Sequence, residues 1–211
     1  MSTRIEMLHE VRDEDLLRAA ATLARAFEHD PVWARAFEGV PRETMAAWFE
    51  GPIRYCREFG RVYATSERLE GIAGVVPGEY ARMTMRRAMR AGTMKMAPRM
   101  GLQLMMRAPR MMRMFAPLDS DRKRHMGARA FTYVMIVGVD PEHQRQGHGG
   151  ALLRALMEES DRMGIPLYLE TETEENRQMY EHYGFDLLSE IALPVVGLPM
   201  WEMLREPALS R

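Results

Sequence analysis

One cysteine, Cys56, is the only thiol in this 211-residue chain. An internal disulfide framework and a multi-cysteine metal site are both excluded, and Cys56 reads as a small buried hydrophobe. No apolar run approaches the roughly 18–20 residues that a membrane-spanning helix needs. The opening stretch MSTRIEMLHEVRDEDLL turns acidic early and lacks the apolar core of a secretion signal, so a cytoplasmic protein is expected. The six histidines are scattered, and none stands at ligand spacing with a carboxylate, so no metal is expected. The most local absence is of negative charge. From Ala81 to Phe115 there is no Asp or Glu.

That same stretch is where the unusual residues sit. The chain has 21 methionines, and eleven of them lie between Met83 and Met114. Nine Arg and Lys residues fall between Ala81 and Phe115, on a chain whose net charge is -1. The remainder of the protein is therefore acidic. With 46% hydrophobic and 28% charged residues the composition is that of a globular protein. One domain over 1–211 is expected, with a Met/Arg-rich helical insertion at about 78–129. For the cationic stretch several readings stand. Its methionines can fill gaps against a sheet, or wall a variable substrate site. A membrane-surface or anionic-partner helix is a third reading. Nucleic-acid binding is disfavoured by few aromatics and no known motif.

Patterning supplies the elements. Ile5–Val11 is a candidate first strand. Asp13 is a candidate N-cap for a helix over Asp15–Phe27, which Asp30-Pro31 ends. Arg42–Phe59 forms a second helix, interrupted at Gly51-Pro52. Two strands, Arg61–Ser66 and Leu69–Val76, follow as a hairpin. Gly78–Phe115 is read as two or three short helices broken at Gly92, Pro98, Gly101 and Pro109. Phe131–Val139 (FTYVMIVGV) is apolar and β-branched, as in a central strand. An amphipathic helix, Ala151–Met163, stops at Gly164. Then come a strand at Pro166–Glu170, a helix at Asn176–Tyr183 and strands at Phe185–Leu193 and Leu198–Leu204.

The strongest chemical signal joins the central strand to the amphipathic helix. It runs Val137-Gly138-Val139-Asp140-Pro141-Glu142-His143-Gln144-Arg145-Gln146-Gly147-His148-Gly149-Gly150. A strand, a turn and a helix N-terminus present several backbone N–H groups in one direction, and the helix dipole adds partial positive charge. Glycines let a ligand approach the backbone. This is a phosphate or pyrophosphate cradle. A P-loop needs Lys-Ser/Thr after its last glycine, whereas Ala151 follows Gly150. The dinucleotide fingerprint is likewise unmet. Gln144-Arg145-Gln146-Gly147-His148-Gly149 meets the pattern Gln/Arg-x-x-Gly-x-Gly/Ala. The His148 side chain is expected in solvent, and His143 and His182 at the surface.

On these residues the chain resembles the GNAT superfamily of N-acetyltransferases. The C-terminal half also looks like the puromycin N-acetyltransferase branch, through Leu169-Glu170-Thr171, Asn176, Tyr180-Glu181-His182-Tyr183-Gly184-Phe185 and Trp201-Glu202-Met203. Phe131-Thr132 stands where that branch often has His-Trp. The resemblance covers Phe131 to Pro207, more weakly Arg4 to Val76, and leaves Gly78–Arg129 unmatched.

The resemblance implies an α/β (α+β) fold with a mostly antiparallel, splayed sheet of six or seven strands and helices on both faces. It implies acetyl-CoA as co-substrate and a small-molecule amine as acceptor, in a monomer or homodimer, with no nucleic acid or membrane partner. The backbone of Val137, Gly138 and Val139 would hold the pantetheine arm. The stretch Gln144, Arg145, Gln146, Gly147, His148, Gly149 and Gly150 would hold the pyrophosphate. Asn176 would bond the pantetheine arm, and Tyr180 would protonate the departing thiolate. Glu170, at a strand end, is the candidate to take the amine proton. Glu170, Glu172, Glu174 and Glu175 together favour a basic acceptor. A non-catalytic acyl-CoA-binding protein on the same fold is the alternative.

Overall fold

Seven segments become strands of one sheet. They are β1 (His9–Glu10), β2 (Arg61–Ala64), β3 (Gly71–Pro77), β4 (Thr132–Val139), β5 (Leu167–Thr171), β6 (Asp186–Ala192) and β7 (Pro199–Arg205). The computed structural model describes residues 3–208, so the outermost residues of the expected 1–211 domain lie outside it. The strand order is β1-β2-β3-β4-β5-β7-β6. Every neighbouring pair is antiparallel except β4 and β5, which run parallel. The expected splayed, mostly antiparallel α/β sheet is what forms.

Helices cover both faces. Those given by the 3.6-residue periodicity are α1 (Leu16–Ala26), α2 (Pro31–Ala36), α3 (Arg42–Phe59), α4 (Met85–Arg90), α5 (Ala97–Met126), α6 (His148–Met163) and α7 (Glu174–His182). Strand alternation sends Ile72 and Val76 to one face, where they pack with Leu23, Phe49 and Ile53 of α1 and α3. Ala73 and Val75 point to the other face and join Leu152, Leu153 and Leu156 of α6. Both clusters are almost fully buried.

The structure departs from the sequence expectations at four places. Ile5–Met7 is a 3-10 turn, and only His9–Glu10 pairs with the sheet. Asp13–Asp15 also forms a 3-10 turn rather than a cap, and no side chain caps α1. The cationic stretch is less broken than its prolines suggest. Gly101, at φ 65° and ψ 163°, is the non-helical residue, while α5 continues through Pro109 and Pro117. Each proline removes one backbone donor, and burial of Leu104, Met111, Met114 and Leu118 on one side offsets that loss. Likewise α3 is continuous through Pro52, and Gly51 leaves room for Met96, whose Sδ would lie 3.2 Å from a Cβ there.

One irregularity positions the site. Gly74 pairs with Ile136 and Val75 with Val134, so Met135 is an extra residue in β4. Such a bulge bends a strand and increases its twist. Immediately before it, the pairing of β4 with β5 ends at Tyr133 and Tyr168. Beyond that point β4 stays on β3 while β5 stays on β7. The sheet therefore opens into a wedge between Val134–Val137 and Leu169–Thr171.

Candidate active site

The wedge is a cleft of about 70 Å³ that is partly open to solvent. Its walls are Val134–Val137 of β4, Leu169–Thr171 of β5 and the following Glu172, with Asn176 and Tyr180 from α7 and Phe27 and Trp33 from the α1–α2 side. Because β4 has left β5 here, its peptide groups on this side lack a strand partner among the described residues. An extended ligand arm can take that place as an added strand does. Val137 lines the cleft. Gly138 has a further reason to be glycine: a Cβ there would lie 2.7 Å from Leu23 Cδ2 and 3.1 Å from Ala26 Cβ, so α1 could not pack against β4.

The loop after β4 is braced from within. Asp140 accepts from Arg25 Nη2 at 2.5 Å and from the Glu142 N–H at 3.1 Å, which fixes α1 against the turn. Burial would raise the Asp140 carboxyl, but these donors outweigh it and hold it below the usual range. Gln144 Nε2 donates to the Val139 carbonyl and Gln146 Nε2 to the Glu142 carbonyl. Both side chains thus shape the loop. Arg145 is left-handed at φ 62°, and Gly147 follows at φ 92°. Ala151 N–H is bonded to the Gly147 carbonyl, so the N–H groups of His148, Gly149 and Gly150 form the unsatisfied first turn of α6. No side chain caps that terminus. The helix dipole and open N–H groups make an anion site there.

His148 does not lie in solvent as expected. Its Nδ1 is 2.9 Å from Thr65 Oγ1, so the ring ties the loop to the chain after β2. Two residues that the sequence reading missed flank the loop. A Cβ on Gly150 would lie 2.7 Å from Tyr183 Oη and 2.8 Å from Arg154 Nη1. The Arg154 guanidinium, one turn into α6, supplies a cation beside the cradle. Its helical spacing from Gly150 was the available signal.

At the other end of the cleft, Glu170 is engaged. Its Oε1 accepts from Arg122 Nη2 at 2.6 Å and Nε at 3.2 Å, and its Oε2 from Tyr133 Oη at 2.7 Å. Arg122 lies 4.1 Å above the Tyr133 ring. Both members of this ion pair are buried. Burial and the adjacent Glu170 push the Tyr133 phenol well up, so it is a neutral donor.

In the sequence Glu172 reads only as an acidic neighbour of Glu170. Its Oε1 accepts from the Trp33 indole N–H at 3.2 Å. Trp33 is held by rings on several sides, with centroids 5.0 Å from Phe49, 5.4 Å from Phe115 and 5.7 Å from Phe37. Asp30 caps α2 through the Val32 and Trp33 N–H groups. Burial, and then the charge of Asp30, push the Glu172 carboxyl up to about 8. Burial raises Asp30 as well.

Asn176 lies in the first turn of α7, which Thr173 caps by accepting the Asn176 N–H at 3.2 Å. One turn later Tyr180 is buried, 5.4 Å edge-on to Phe185. Among the described residues its hydroxyl has no hydrogen-bond partner, and it lines the cleft. Burial and then Glu172 push the phenol up, which keeps its proton in place. Among the described residues no cluster of three or more His, Cys, Asp and Glu could hold a metal ion. Cys56 is buried against Met135, with sulfurs 3.6 Å apart, and burial pushes its thiol up.

Comparison with known proteins agrees with this geometry. Residues 118–187 match the family model described as an acetyltransferase (GNAT) domain. An uncharacterized N-acetyltransferase of Schizosaccharomyces pombe is 35% identical over 77 residues, which is 36% of this chain and 31% of that protein. The match thus spans about a third of that relative's length. A Corynebacterium glutamicum structure described as histone acetyltransferase HPA2 and related acetyltransferase superposes with a TM-score of 0.63 at 18% identity, covering 97% of each chain. The C-terminal condensation domain of Ebony, solved with beta-alanyl-dopamine, gives 0.64 at 10% identity over 94% of this chain and 97% of that one. A putative arylalkylamine N-acetyltransferase of the yellow fever mosquito gives 0.62 at 10% identity over 94% and 86%. These three share the fold. By sequence, residues 118–187 match the GNAT acetyltransferase domain, and over nearly its whole length the chain shares the fold of these structures.

Proposed function

We propose that the protein transfers an acetyl group from acetyl-CoA to a primary amine of a small molecule by direct attack, in the cytoplasm. The observation that carries this reading is the parting of β4 from β5 after Tyr133 and Tyr168, which leads to the uncapped N-terminus of α6. The pantetheine arm would lie along the free backbone edge of Val134–Val139, with Asn176 beside it. The pyrophosphate would sit on the N–H groups of Arg145–Gly150, with Arg145 and Arg154 adding positive charge.

The acceptor nitrogen must be uncharged when its lone pair attacks the thioester carbonyl carbon. The C–N bond forms, the C–S bond breaks, and the thiolate leaves. Tyr180 would give its proton to that sulfur. The amine proton must go elsewhere. Glu170 lines the cleft, but its oxygens are occupied by Arg122 and Tyr133. Glu172 accepts one indole N–H, and its carboxyl is poised near neutral pH, as a general base needs. We therefore assign proton acceptance to Glu172, and assign Glu170 to holding Arg122 and Tyr133 against the β4 edge.

The test is release of free CoA thiol from acetyl-CoA over a panel of primary amines. Amine-dependent release is expected. Tight CoA binding without release for any amine would support the non-catalytic alternative instead.

A further inference from the structure

The helix α5 has two apolar faces. Leu104, Met111, Met114 and Leu118 repeat at helical spacing and are buried against the domain. On the opposite side Leu102, Met105, Met106 and Met112 recur at spacings of three, one and six, so they share the outward face. They are 49% to 73% exposed. A surface helix normally shows polar residues there. A contiguous apolar patch left exposed marks an interaction site.

Charge narrows what that something is. Of the nine basic residues in this stretch, Arg82, Arg90 and Arg99 meet carboxylates of Asp119, Glu58 and Glu50. Arg87 and Arg107 donate to backbone carbonyls. Arg86, Lys95, Arg110 and Arg113 have no such partner among the described residues. By helical spacing Arg113 lies within the exposed stripe, seven residues from Met106, and Arg110 lies at its edge.

We propose that this face is a peripheral docking surface for an anionic lipid bilayer. Flexible, unbranched Met and Leu side chains enter the headgroup region, and the unpaired cations meet lipid phosphates and carboxylates. A symmetric contact with a second copy would set like charges against each other. Phe115, the aromatic of this stretch, is turned in on Trp33, so the face offers no ring on which nucleobases can stack. No helix of the described residues is long and apolar enough to cross a membrane, so the contact is on the surface.

Vesicle co-sedimentation tests this with the full chain. The probes are phosphatidylcholine vesicles with and without phosphatidylserine. Binding is expected only to the anionic vesicles and should weaken with salt. R110E/R113E should lower it about tenfold or more, because each basic residue at such a surface is worth about a fivefold factor. M105Q/M106Q should lower it independently. Circular dichroism and the thermal midpoint should stay unchanged in both variants. Equal binding to neutral vesicles, or no vesicle binding at all, would overturn the proposal. So would self-association or DNA binding that those variants abolish while vesicles are ignored.

Discussion

Arg122 and Glu170 form a buried ion pair with Nη2 and Oε1 2.6 Å apart, and Tyr133 donates to the other carboxylate oxygen. The pair ties α5 to the strand end beside the cleft. Both groups have lost water, so removing one leaves the other uncompensated. Arg122→Met should therefore destabilise the fold by about 3–5 kcal/mol, measured by urea unfolding. A loss under about 1 kcal/mol would mean that the pair behaves as an exposed one.

The assignment of the proton acceptor separates two neighbouring carboxylates. Glu172→Gln should lower kcat about a hundredfold or more. It should also remove the rise in kcat/KM with pH that the wild type should show up to about 8. Glu170→Gln keeps an acceptor for Arg122 and should retain that pH profile. If the two variants exchange these behaviours, Glu170 is the base.

The same carboxyl has a stability signature. Its folded value, about 8, lies above the usual 4.5, so the folded state favours the protonated form. Stability is then full below pH 4.5 and falls as pH rises from 4.5 towards 8. Glu172→Gln should flatten that part of the curve of thermal midpoint against pH. An unchanged slope would refute the burial argument.

Tyr180→Phe removes one hydroxyl that has no hydrogen-bond partner among the described residues. It should slow turnover about a hundredfold while the CoA dissociation constant stays nearly constant. Steady-state kinetics and a CoA titration read the two effects separately.

How much was legible follows from where each signal lies along the chain. The β4 strand, its glycine loop and α6 are contiguous, so period, turn residues and helix start stand in one readable stretch. Asn176 and Tyr180 follow at helical spacing. Trp33 and Glu172 are 139 positions apart, and their contact exists only after α2 packs on the open edge of the wedge. Arg122 and Glu170 are likewise 48 apart, so Glu170 alone looked like a free strand-end acid. Glycine reads ambiguously as well. Gly138 lies in the run proposed to hold the ligand, yet what requires glycine there is the approach of Leu23. In α5, Pro109 suggested a break that burial of the inward face overrides.

The central claim is that the wedge and its glycine loop bind acetyl-CoA. Isothermal titration of acetyl-CoA into the wild type and Gly147→Ala tests it most directly. Gly147 sits at φ 92°, where any side chain is strained although nothing lies within 4 Å. The account predicts saturable heat at micromolar ligand for the wild type and about tenfold weaker binding for the variant, a cost of roughly 1–2 kcal/mol. No heat from the wild type at high micromolar acetyl-CoA, or equal affinity in both proteins, would contradict it.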